Sequence, residues 1–220
     1  PTVYRVHENP DPDKLRVFAS FARPFGYRID PSKPEDTAQF QVVLRGAKND
    51  PKQRVLPTLL LRSLARARYA DECIGHYGLK AKFYLHFTSP IRRYPDTSIH
   101  RVLSAFVEGM PAEEVRRRYA QFCETSATES SRNEIRALIA ERDAEDCYMA
   151  EYMSQHIGEH FEGTVSGVTM RGVFVRLENS VEGFVSLDAF EGEDFVYDGL
   201  ITQRSPKREL TIGTPLLIIA

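Results

Sequence analysis

The hydrophobic pattern of the 220-residue chain changes its period near residue 157. Before that point apolar residues recur at helical spacing, as Leu15, Phe18 and Ala22 do. After it, short apolar runs follow one another between glycine and asparagine residues, which is typical of β-strands. The change predicts an α+β chain that is mostly helical up to residue 156 and forms a small antiparallel β-domain over residues 157–220.

Local signals divide the helical part into separate elements. The predicted helices are residues 12–25, residues 37–48, a helix from Pro57 through Ala67, and residues 111–125. Ser131 followed by Glu134 is a capping box, which predicts that a separate long helix begins there and ends at Gly158. Small and aromatic residues alternate roughly over residues 77–87, and this pattern predicts an extended segment.

The formal net charge of −2 conceals a segregated charge pattern. Residues 45–101 carry 12 basic and 4 acidic side chains, whereas the segments on either side are neutral or acidic. Clustered Lys and Arg side chains, rather than net charge, determine the affinity for phosphate groups. The basic segment therefore indicates an anionic ligand, although a solvated helical face would account for the charges equally well.

Composition excludes several classes of protein. The cysteines Cys73, Cys123 and Cys147 lie far apart without a C-x-x-C pair, so we expect reduced and mostly buried thiols. No apolar run is long enough for a membrane span and no leader peptide is evident, which predicts a cytoplasmic protein without a membrane partner. The chain begins at Pro1 and stops in an apolar run, so we expect truncation at both ends.

One segment, HFTSPIRRYPDTSIHR, carries the chemistry of the chain. Thr88 or Ser89 can cap a turn whose first residue is Pro90, so that unpaired backbone N–H groups face outward. Arg92 and Arg93 add guanidinium donors that match the geometry of phosphate oxygens. The segment therefore predicts an anion site. A capped helix with two surface arginines would show the same pattern, and the local residues leave both interpretations open.

A proline within the same segment sets a boundary. Pro95 follows too closely for one unbroken helix, so we expect a kink or a new helix start there. Asp96 and His100 are four residues apart, a spacing that favours a local hydrogen bond on one helix face over a shared ligand.

The segment from Tyr84 to Arg101 resembles the signature of the RNB family of exoribonucleases, Y-x-H-F-T-S-P-I-R-R-Y-x-D-x-x-x-H-R. Two flanking pieces, YRVHE at residues 4–8 and TLLLRSL at residues 58–64, are similar to the RNase R branch of that family more than to the RNase II branch. The resemblance spans essentially the whole chain.

The resemblance implies a Mg²⁺-dependent parent protein that hydrolyses RNA processively from its 3′ end to nucleotides, without a small-molecule cofactor. In the family, a cluster of metal-binding aspartates precedes the segment that is similar to YRVHE. Residues 1–220 contain no such cluster, and Asp11 and Asp13 match a variable turn. We therefore expect no metal ligand in this chain and no activity of the chain alone. The sequence does not indicate an oligomeric state.

The resemblance also implies roles for individual residues. Arg92 is the implied catalytic residue, which clamps the scissile phosphate and stabilises its transition state. The implied partner is an RNA with a single-stranded 3′ end. Contacts with this RNA, or support for its path, are implied for Tyr84, Thr88, Ser89, Arg93 and Arg101.

Residues 157–220 resemble an S1-type RNA-binding domain, a barrel of the OB-fold. The resemblance implies RNA contacts at Phe161, Arg171 and Phe174, where stacking on rings or on a guanidinium plane binds the bases. Ser186 replaces a histidine that is common in such domains. The implied domain limits are 1–105 for the C-terminal part of the RNB domain, 106–156 for a helical segment completing it, and 157–220 for the S1-type barrel.

Two other interpretations remain open from the sequence. A non-catalytic RNA-binding or scaffold protein could keep RNB-like and S1-like modules. The sequence HIGEH from His156 to His160 spells an inverted zinc-protease motif, but that motif requires a continuous helix and Gly158 falls where the helix is expected to end.

Overall fold

A computed structural model describes residues 1–49, 55–199 and 202–220. The chain divides into two compact units. The first unit consists of Pro1–Val42 and Leu59–Arg142, and the second of Val43–Thr58 and Asp143–Ala220. Helices and strands together confirm the α+β class.

The helical part contains five labelled helices and a two-stranded ribbon among the described residues. In chain order the elements are β1 Tyr4–Val6, α1 Pro12–Ala22, a 3-10 turn Arg23–Phe25, α2 Ala38–Asn49, α3 Val55–Ser63, β2 Arg68–Ala70, a 3-10 turn Tyr77–Leu79, α4 Tyr94–Val107 and α5 Ala112–Ser154. β1 and β2 pair antiparallel, with Tyr4 opposite Ala70. The main core of the first unit comprises Val3, Tyr69, Ile99, Val102, Val115, Cys123 and Ala127.

Helix α1 shows how local signals set an element. Asp11 caps it by accepting a hydrogen bond from the Asp13 N–H, and proline occupies its first turn. Leu15 and Phe18 are buried on one face, and Gly26 follows the 3-10 turn with φ of 85°, a left-handed conformation that glycine adopts without strain. The helix predicted over residues 12–25 is confirmed, and α2 confirms the one over residues 37–48.

Two predictions in the middle of the helical part are wrong in part. Helix α3 ends at Ser63 rather than at Ala67, because the Leu64 N–H bonds the Leu61 carbonyl and closes the last turn before the chain enters β2. Pro57 is its third residue rather than its first, and residues 50–54 lie outside the described residues. The segment 77–87, predicted to be extended, begins instead with the 3-10 turn Tyr77–Leu79, and the residues after it form no strand apart from an isolated bridge between His76 and Ala81.

Helix α5 runs unbroken for 43 residues, so the predicted start of a separate helix at Ser131 is wrong. The Ser131 hydroxyl accepts a hydrogen bond from the Tyr69 N–H at 2.9 Å and donates one to the Tyr69 carbonyl at 3.1 Å. The hydroxyl therefore satisfies the backbone of β2 instead of capping a helix. α5 ends at Ser154, and Gly158, with φ of 87°, lies in the turn that follows.

The β-domain forms two small antiparallel sheets within the second unit. Its strands are β3 His160–Thr169, β4 Gly172–Leu177, β5 Glu182–Ser186, β6 Val196–Tyr197, β7 Thr202–Arg204, β8 Glu209–Thr211 and β9 Pro215–Ile219. One sheet has the order β5-β4-β3-β9 and the other β6-β7-β8. The strands predicted from FEGTVSGV, GVFVRL, EGFVSL and TPLLIIA are confirmed as β3, β4, β5 and β9.

The two sheets share one small core. Val165, Val168, Val173, Val175 and Leu210 are its buried residues. The described strands are not hydrogen-bonded into a single closed sheet, so the predicted barrel is present as two sheets packed together. The Gly213 N–H and the Val165 carbonyl bond at 2.8 Å and tie the turn after β8 to β3.

The cysteines are less buried than expected. Cys123 is fully buried in the core, whereas Cys73 and Cys147 are exposed. Cys73 lies in an irregular loop and its thiol donates to the Lys82 carbonyl, while Cys147 lies on an exposed face of α5. Among residues 1–49, 55–199 and 202–220, no helix has the length and apolar character that a membrane crossing requires.

Replacing Ser131 by alanine removes both hydrogen bonds to the Tyr69 backbone. We expect Ser131→Ala to lower the free energy of unfolding by about 1–2 kcal/mol, because a part-buried donor and acceptor lose their partner. Urea denaturation followed by circular dichroism measures the change. Ser130→Ala is the matched control, since the Ser130 hydroxyl has no hydrogen-bond partner among the described residues. Equal stability of the two variants would contradict the assignment.

Candidate nucleic-acid interface

The signature segment forms a tight turn followed by a helix. The Ser89 carbonyl accepts hydrogen bonds from the N–H groups of Arg92 at 3.3 Å and Arg93 at 3.1 Å, closing a turn over residues 90–92. Helix α4 then begins at Tyr94 with Pro95 in its first turn, where the missing N–H has no intrahelical partner to lose. The predicted new start at Pro95 is confirmed.

The side chain of Asp96 holds this turn closed. Asp96 is fully buried, and its Oδ1 accepts hydrogen bonds from the Ser89 N–H at 2.7 Å and from Arg93 Nη2 at 3.0 Å. The predicted cap by a Thr88 or Ser89 hydroxyl is not made, because the N–H groups of Arg92 and Arg93 are bonded to the Ser89 carbonyl instead. The Thr97 hydroxyl instead donates to the Pro90 carbonyl at 3.2 Å.

The two adjacent arginines therefore have different environments. Arg93 is mostly buried and pairs with Asp96. Arg92 is exposed, and its guanidinium has no salt-bridge or hydrogen-bond partner among the described residues. A guanidinium free of internal partners is available to an external anion, whereas one bonded to a buried carboxylate is not.

Tyr84 and Arg101, for which RNA contacts were predicted, pack against other side chains of the first unit. The half-buried Tyr84 ring makes edge-on contacts with His76, at 5.1 Å between centroids, and with His86 at 5.7 Å. The Arg101 guanidinium lies 5.0 Å from the centre of the Phe122 ring, a cation–π contact between α4 and α5. Thr88 is exposed at the start of the turn.

Sequence reasoning missed a row of rings beside the signature segment. We call it the aromatic row, and its members are His7, His76, Tyr84, His86 and Tyr69. Successive ring centroids lie 5.1–5.7 Å apart. His7 lies near the start of the chain, and the other four members lie within residues 69–86. The histidine in YRVHE and the histidine that begins HFTSPIRR were the sequence signals that could have indicated this row.

Hydrogen bonds fix the tautomer of His7 in the aromatic row. His7 Nδ1 accepts from the Gly78 N–H at 3.1 Å, and His7 Nε2 therefore carries the proton that it donates to the Ala65 carbonyl at 2.8 Å. The Tyr69 hydroxyl and His86 Nδ1 lie 3.0 Å apart. The two hydrogen bonds of His7 thus define its tautomer and hold the ring in one orientation.

Burial, together with nearby positive charges, favours the neutral forms of His76 and His86. Burial lowers the pKa of His86, and the nearby guanidiniums of Arg93 and Arg5 lower it further, opposed by Asp96 and Glu134. Burial also lowers the pKa of His76, with a smaller contribution from His7. Arg5 lies 4.5 Å over the Tyr69 ring and pairs with Glu134 at 2.7 Å.

In the β-domain, strand alternation separates the predicted RNA contacts. Phe174 lies on the outer face of β4, 38% exposed, while its neighbours Val173 and Val175 face the core. Phe161 lies on the opposite face, because it is four residues before Val165, the cross-strand partner of Val175. The Phe161 ring packs 6.0 Å from that of His156. Phe161 and Phe174 thus lie on opposite faces of the sheet.

The remaining predicted positions of the β-domain lie at strand ends. Arg171 is exposed in the turn between β3 and β4, and its guanidinium has no partner among the described residues. The Ser186 hydroxyl caps a short 3-10 turn by accepting from the Asp188 N–H at 3.3 Å. Arg171 and Phe174 thus lie near the same end of β4, and Ser186 is used for capping.

Candidate metal ligands do not converge in the described part of the chain. His156 Nδ1 lies 2.9 Å from Glu159 Oε2 in the turn after α5, and His160 begins β3, so HIGEH is not on a helix. Within residues 1–49, 55–199 and 202–220, no three His, Cys, Asp or Glu side chains are grouped so that they could hold a metal ion.

The lowered pKa values in the aromatic row make stability depend on pH. In the unfolded chain His76 and His86 titrate near the ordinary pKa of 6.5, above their pKa values in the fold, so the unfolded state binds more protons as the pH falls. We expect the free energy of unfolding to be retained above pH 6.5 and to decrease below it. Urea denaturation at pH 7.5 and pH 5.5 measures this loss.

The variant His86→Gln isolates the contribution of one ring. Its loss of stability between the two pH values should be smaller than that of the unaltered chain, because one proton-binding group of the unfolded state is removed. His160→Gln is the control, at an exposed histidine outside the aromatic row. An identical pH dependence in all three proteins would contradict the assignment to His86.

Comparison with known proteins identifies two family matches. The model of the RNB domain matches residues 1–109, and the model of the S1 RNA binding domain matches residues 154–216. The RNB match includes the turn with Arg92 and the aromatic row, and the S1 match covers the β-domain as far as the first two residues of β9.

Individual relatives agree with these matches. Ribonuclease R 1 of Lactococcus lactis is 40% identical over 223 residues, covering 99% of this chain and 27% of that relative. Ribonuclease R of Aquifex aeolicus is 36% identical over 200 residues, covering 90% of this chain and 28% of the relative. The chain therefore spans less than a third of the length of these two curated relatives.

Among solved structures, Mycoplasma genitalium RNase R in complex with ribose-methylated single-stranded RNA matches with a TM-score of 0.85 at 27% identity. The match covers 99% of this chain and 35% of that chain. The two family matches leave residues 110–153 and 217–220 uncovered, whereas the Lactococcus lactis relative and the solved structure each match 99% of this chain. The chain thus belongs to the RNB family, carries an S1 RNA binding domain after the RNB domain, and is similar to ribonuclease R proteins along nearly its whole length.

Proposed function

We propose that this chain is part of a Mg²⁺-dependent exoribonuclease that hydrolyses RNA processively from its 3′ end, and that it supplies the arginine for the scissile phosphate. The observation that carries the proposal is the unpaired, exposed guanidinium of Arg92 on a turn fixed by the buried Asp96. The ribonuclease R relatives and the RNA-bound structure of one RNase R support it.

The geometry of the turn suits Arg92 to phosphate binding. Its backbone N–H is bonded to the Ser89 carbonyl, so the start of the side chain is fixed while the guanidinium remains free. A guanidinium can donate two parallel hydrogen bonds to one phosphate and is always charged. Such donors stabilise the charge that accumulates on the phosphate in the transition state.

The other signature residues support this arginine in different ways. Arg93 acts through Asp96 as a positioning residue for the turn. Tyr84 acts through its packing in the aromatic row, and Arg101 through its contact with Phe122. Thr88 is exposed at the start of the turn. Together with the adjoining Ser89, it remains available to contact the RNA backbone.

The proposed division of labour follows the domain limits. Residues 1–105 provide the phosphate clamp, residues 106–156 complete that domain, and residues 157–220 guide single-stranded RNA through Arg171 and Phe174. Aromatic stacking beside a basic group is how such folds bind single strands without sequence preference.

We place the Mg²⁺ ligands in the parent protein outside this chain. A bound Mg²⁺ polarises the phosphate and activates a water nucleophile, and it requires several convergent oxygen ligands. Asp11 does not fit that role, since it caps α1, and Asp13 is paired with Arg16. No grouped set of ligands occurs in the described ranges either. We therefore propose that the chain alone binds RNA without cleaving it.

The role of Arg92 is tested in the complete parent protein. We expect Arg92→Ala to lower kcat by about 10²–10³-fold with a smaller effect on KM, because the lost interaction acts mainly in the transition state. The measurement is the steady-state release of nucleotides from a single-stranded oligoribonucleotide. Arg66→Ala is the matched control, since Arg66 is an exposed arginine of the same basic segment. Unchanged degradation by Arg92→Ala would overturn the proposed role.

The proposed inactivity of the chain alone has a separate test. Purified residues 1–220 should release no nucleotides from a labelled single-stranded RNA in the presence of Mg²⁺, while fluorescence anisotropy should detect binding of the same RNA. The complete protein serves as the active control. Robust Mg²⁺-dependent release by the chain would contradict the proposal. Binding without cleavage by the complete protein would instead support a non-catalytic RNA-binding protein.

A further inference from the structure

A histidine on helix α4 bonds the backbone in front of the signature turn. His100 Nε2 lies 2.8 Å from the Phe87 carbonyl oxygen. Because a carbonyl oxygen only accepts hydrogen bonds, Nε2 carries the proton and donates it. The two rings also contact each other, with centroids 4.3 Å apart and an interplanar angle of 40°. One side chain therefore holds both the backbone and the ring of Phe87.

The hydrogen bond predicted between Asp96 and His100 is not made, because each side chain bonds the segment in front of the helix instead. Asp96 Oδ1 accepts from the Ser89 N–H and from Arg93, and Oδ2 has no hydrogen-bond partner among the described residues. Side chains of a helix tilt towards its N-terminus, so residues of one face reach back over the chain that enters it. The spacing of four residues thus serves a shared backbone segment.

Three side chains of α4 bond backbone groups of the segment 87–90. The pairs are Asp96 with the Ser89 N–H at 2.7 Å, Thr97 with the Pro90 carbonyl at 3.2 Å and His100 with the Phe87 carbonyl at 2.8 Å. This segment belongs to no helix or strand, so its polar groups need partners from elsewhere. Helix α4 supplies them and holds the segment in one conformation.

The bond from His100 fixes the entry to the signature turn. The turn is closed by the Ser89 carbonyl, which accepts from the Arg92 N–H. A rotation of the chain at Phe87 or Thr88 would move that carbonyl and, through it, the backbone of Arg92. Asp96 and Thr97 act at residues 89 and 90, whereas His100 acts on the residues before them. Its contribution is therefore distinct from theirs.

We propose that His100 is a positioning residue for Arg92, acting through the Phe87 carbonyl and the signature turn. The inference rests on the proposed phosphate-binding function of Arg92 and adds a residue that does not touch the phosphate. The Nε2 proton of His100 is bonded within the protein, so it does not serve an external anion. A displacement of about 1 Å in a group that contacts the transition state costs up to about 10²-fold in rate.

The test uses the complete parent protein and a single-stranded oligoribonucleotide. We expect His100→Phe to lower kcat about tenfold with little change in KM, because it keeps a ring against Phe87 but removes the donor. His100→Gln brings an amide N–H close to the position of Nε2 and should retain most of kcat. His160→Phe, at an exposed histidine of β3, is the control and should behave like the unaltered protein.

A double-mutant cycle separates positioning from a general loss of structure. If His100 acts through Arg92, His100→Phe should change kcat by about twofold or less in the Arg92→Ala background, where the positioned group is absent. Equal tenfold losses in both backgrounds would overturn the inference. An unchanged kcat of His100→Phe beside an impaired Arg92→Ala would also overturn it. Unchanged degradation by Arg92→Ala would instead overturn the proposed function.

A second pair of variants covers a folding defect in His100→Phe, which thermal melting detects. His100→Asn carries the same amide as His100→Gln on a shorter side chain, which does not reach the Phe87 carbonyl. We expect the asparagine variant to lose about tenfold in kcat and the glutamine variant to retain most of it. Equal kcat values for these two variants would contradict the inference.

Discussion

The buried carboxylate of Asp96 is the interaction on which the candidate phosphate site depends. A charge without solvent is tolerated when it is paired and hydrogen-bonded, and Asp96 meets this condition through Arg93 and the Ser89 N–H. The same two bonds close the signature turn and remove Arg93 from the surface. Its neighbour Arg92 is left exposed on a backbone that cannot easily change conformation. One internal ion pair thus decides which of two adjacent arginines faces the ligand.

The first unit uses the same device elsewhere, since side chains satisfy backbone groups that regular structure leaves unpaired. Ser131 bonds both polar groups of Tyr69, and His7 bonds the Ala65 carbonyl and the Gly78 N–H. These contacts join segments about 60–70 residues apart. Irregular segments such as 71–87 can therefore be ordered without being strands or helices, because their polar groups are satisfied.

Sequence signals succeeded where the determining contacts are local. The cap, the proline and the closing glycine of α1 all lie within the helix or next to it, and the glycine-punctuated runs of the β-domain mark its strands. The S-x-x-E pattern at Ser131 failed because the true partner, Tyr69, is 62 residues away. The alternation of β3 did not reveal which face holds Phe161, since a register shift between Val165 and Gly167 changes the pattern within the strand.

Prediction from local sequence has the same limit at the candidate site. Arg92 and Arg93 are identical in type and adjacent, so the local pattern gives them equal claims to a phosphate. The burial of Asp96 distinguishes them, and burial depends on packing that the segment itself does not encode.

The doubly bonded ring of His7 has a consequence for the choice of metal. Imidazole coordinates zinc, copper or nickel through an unprotonated nitrogen with a free lone pair. In His7 one nitrogen carries a proton held by Ala65, and the lone pair of the other is occupied by the Gly78 N–H. A transition metal could recruit this ring only by breaking backbone contacts of the first unit. The contacts that order the segments around Ala65 and Gly78 therefore keep this imidazole from coordinating such an ion.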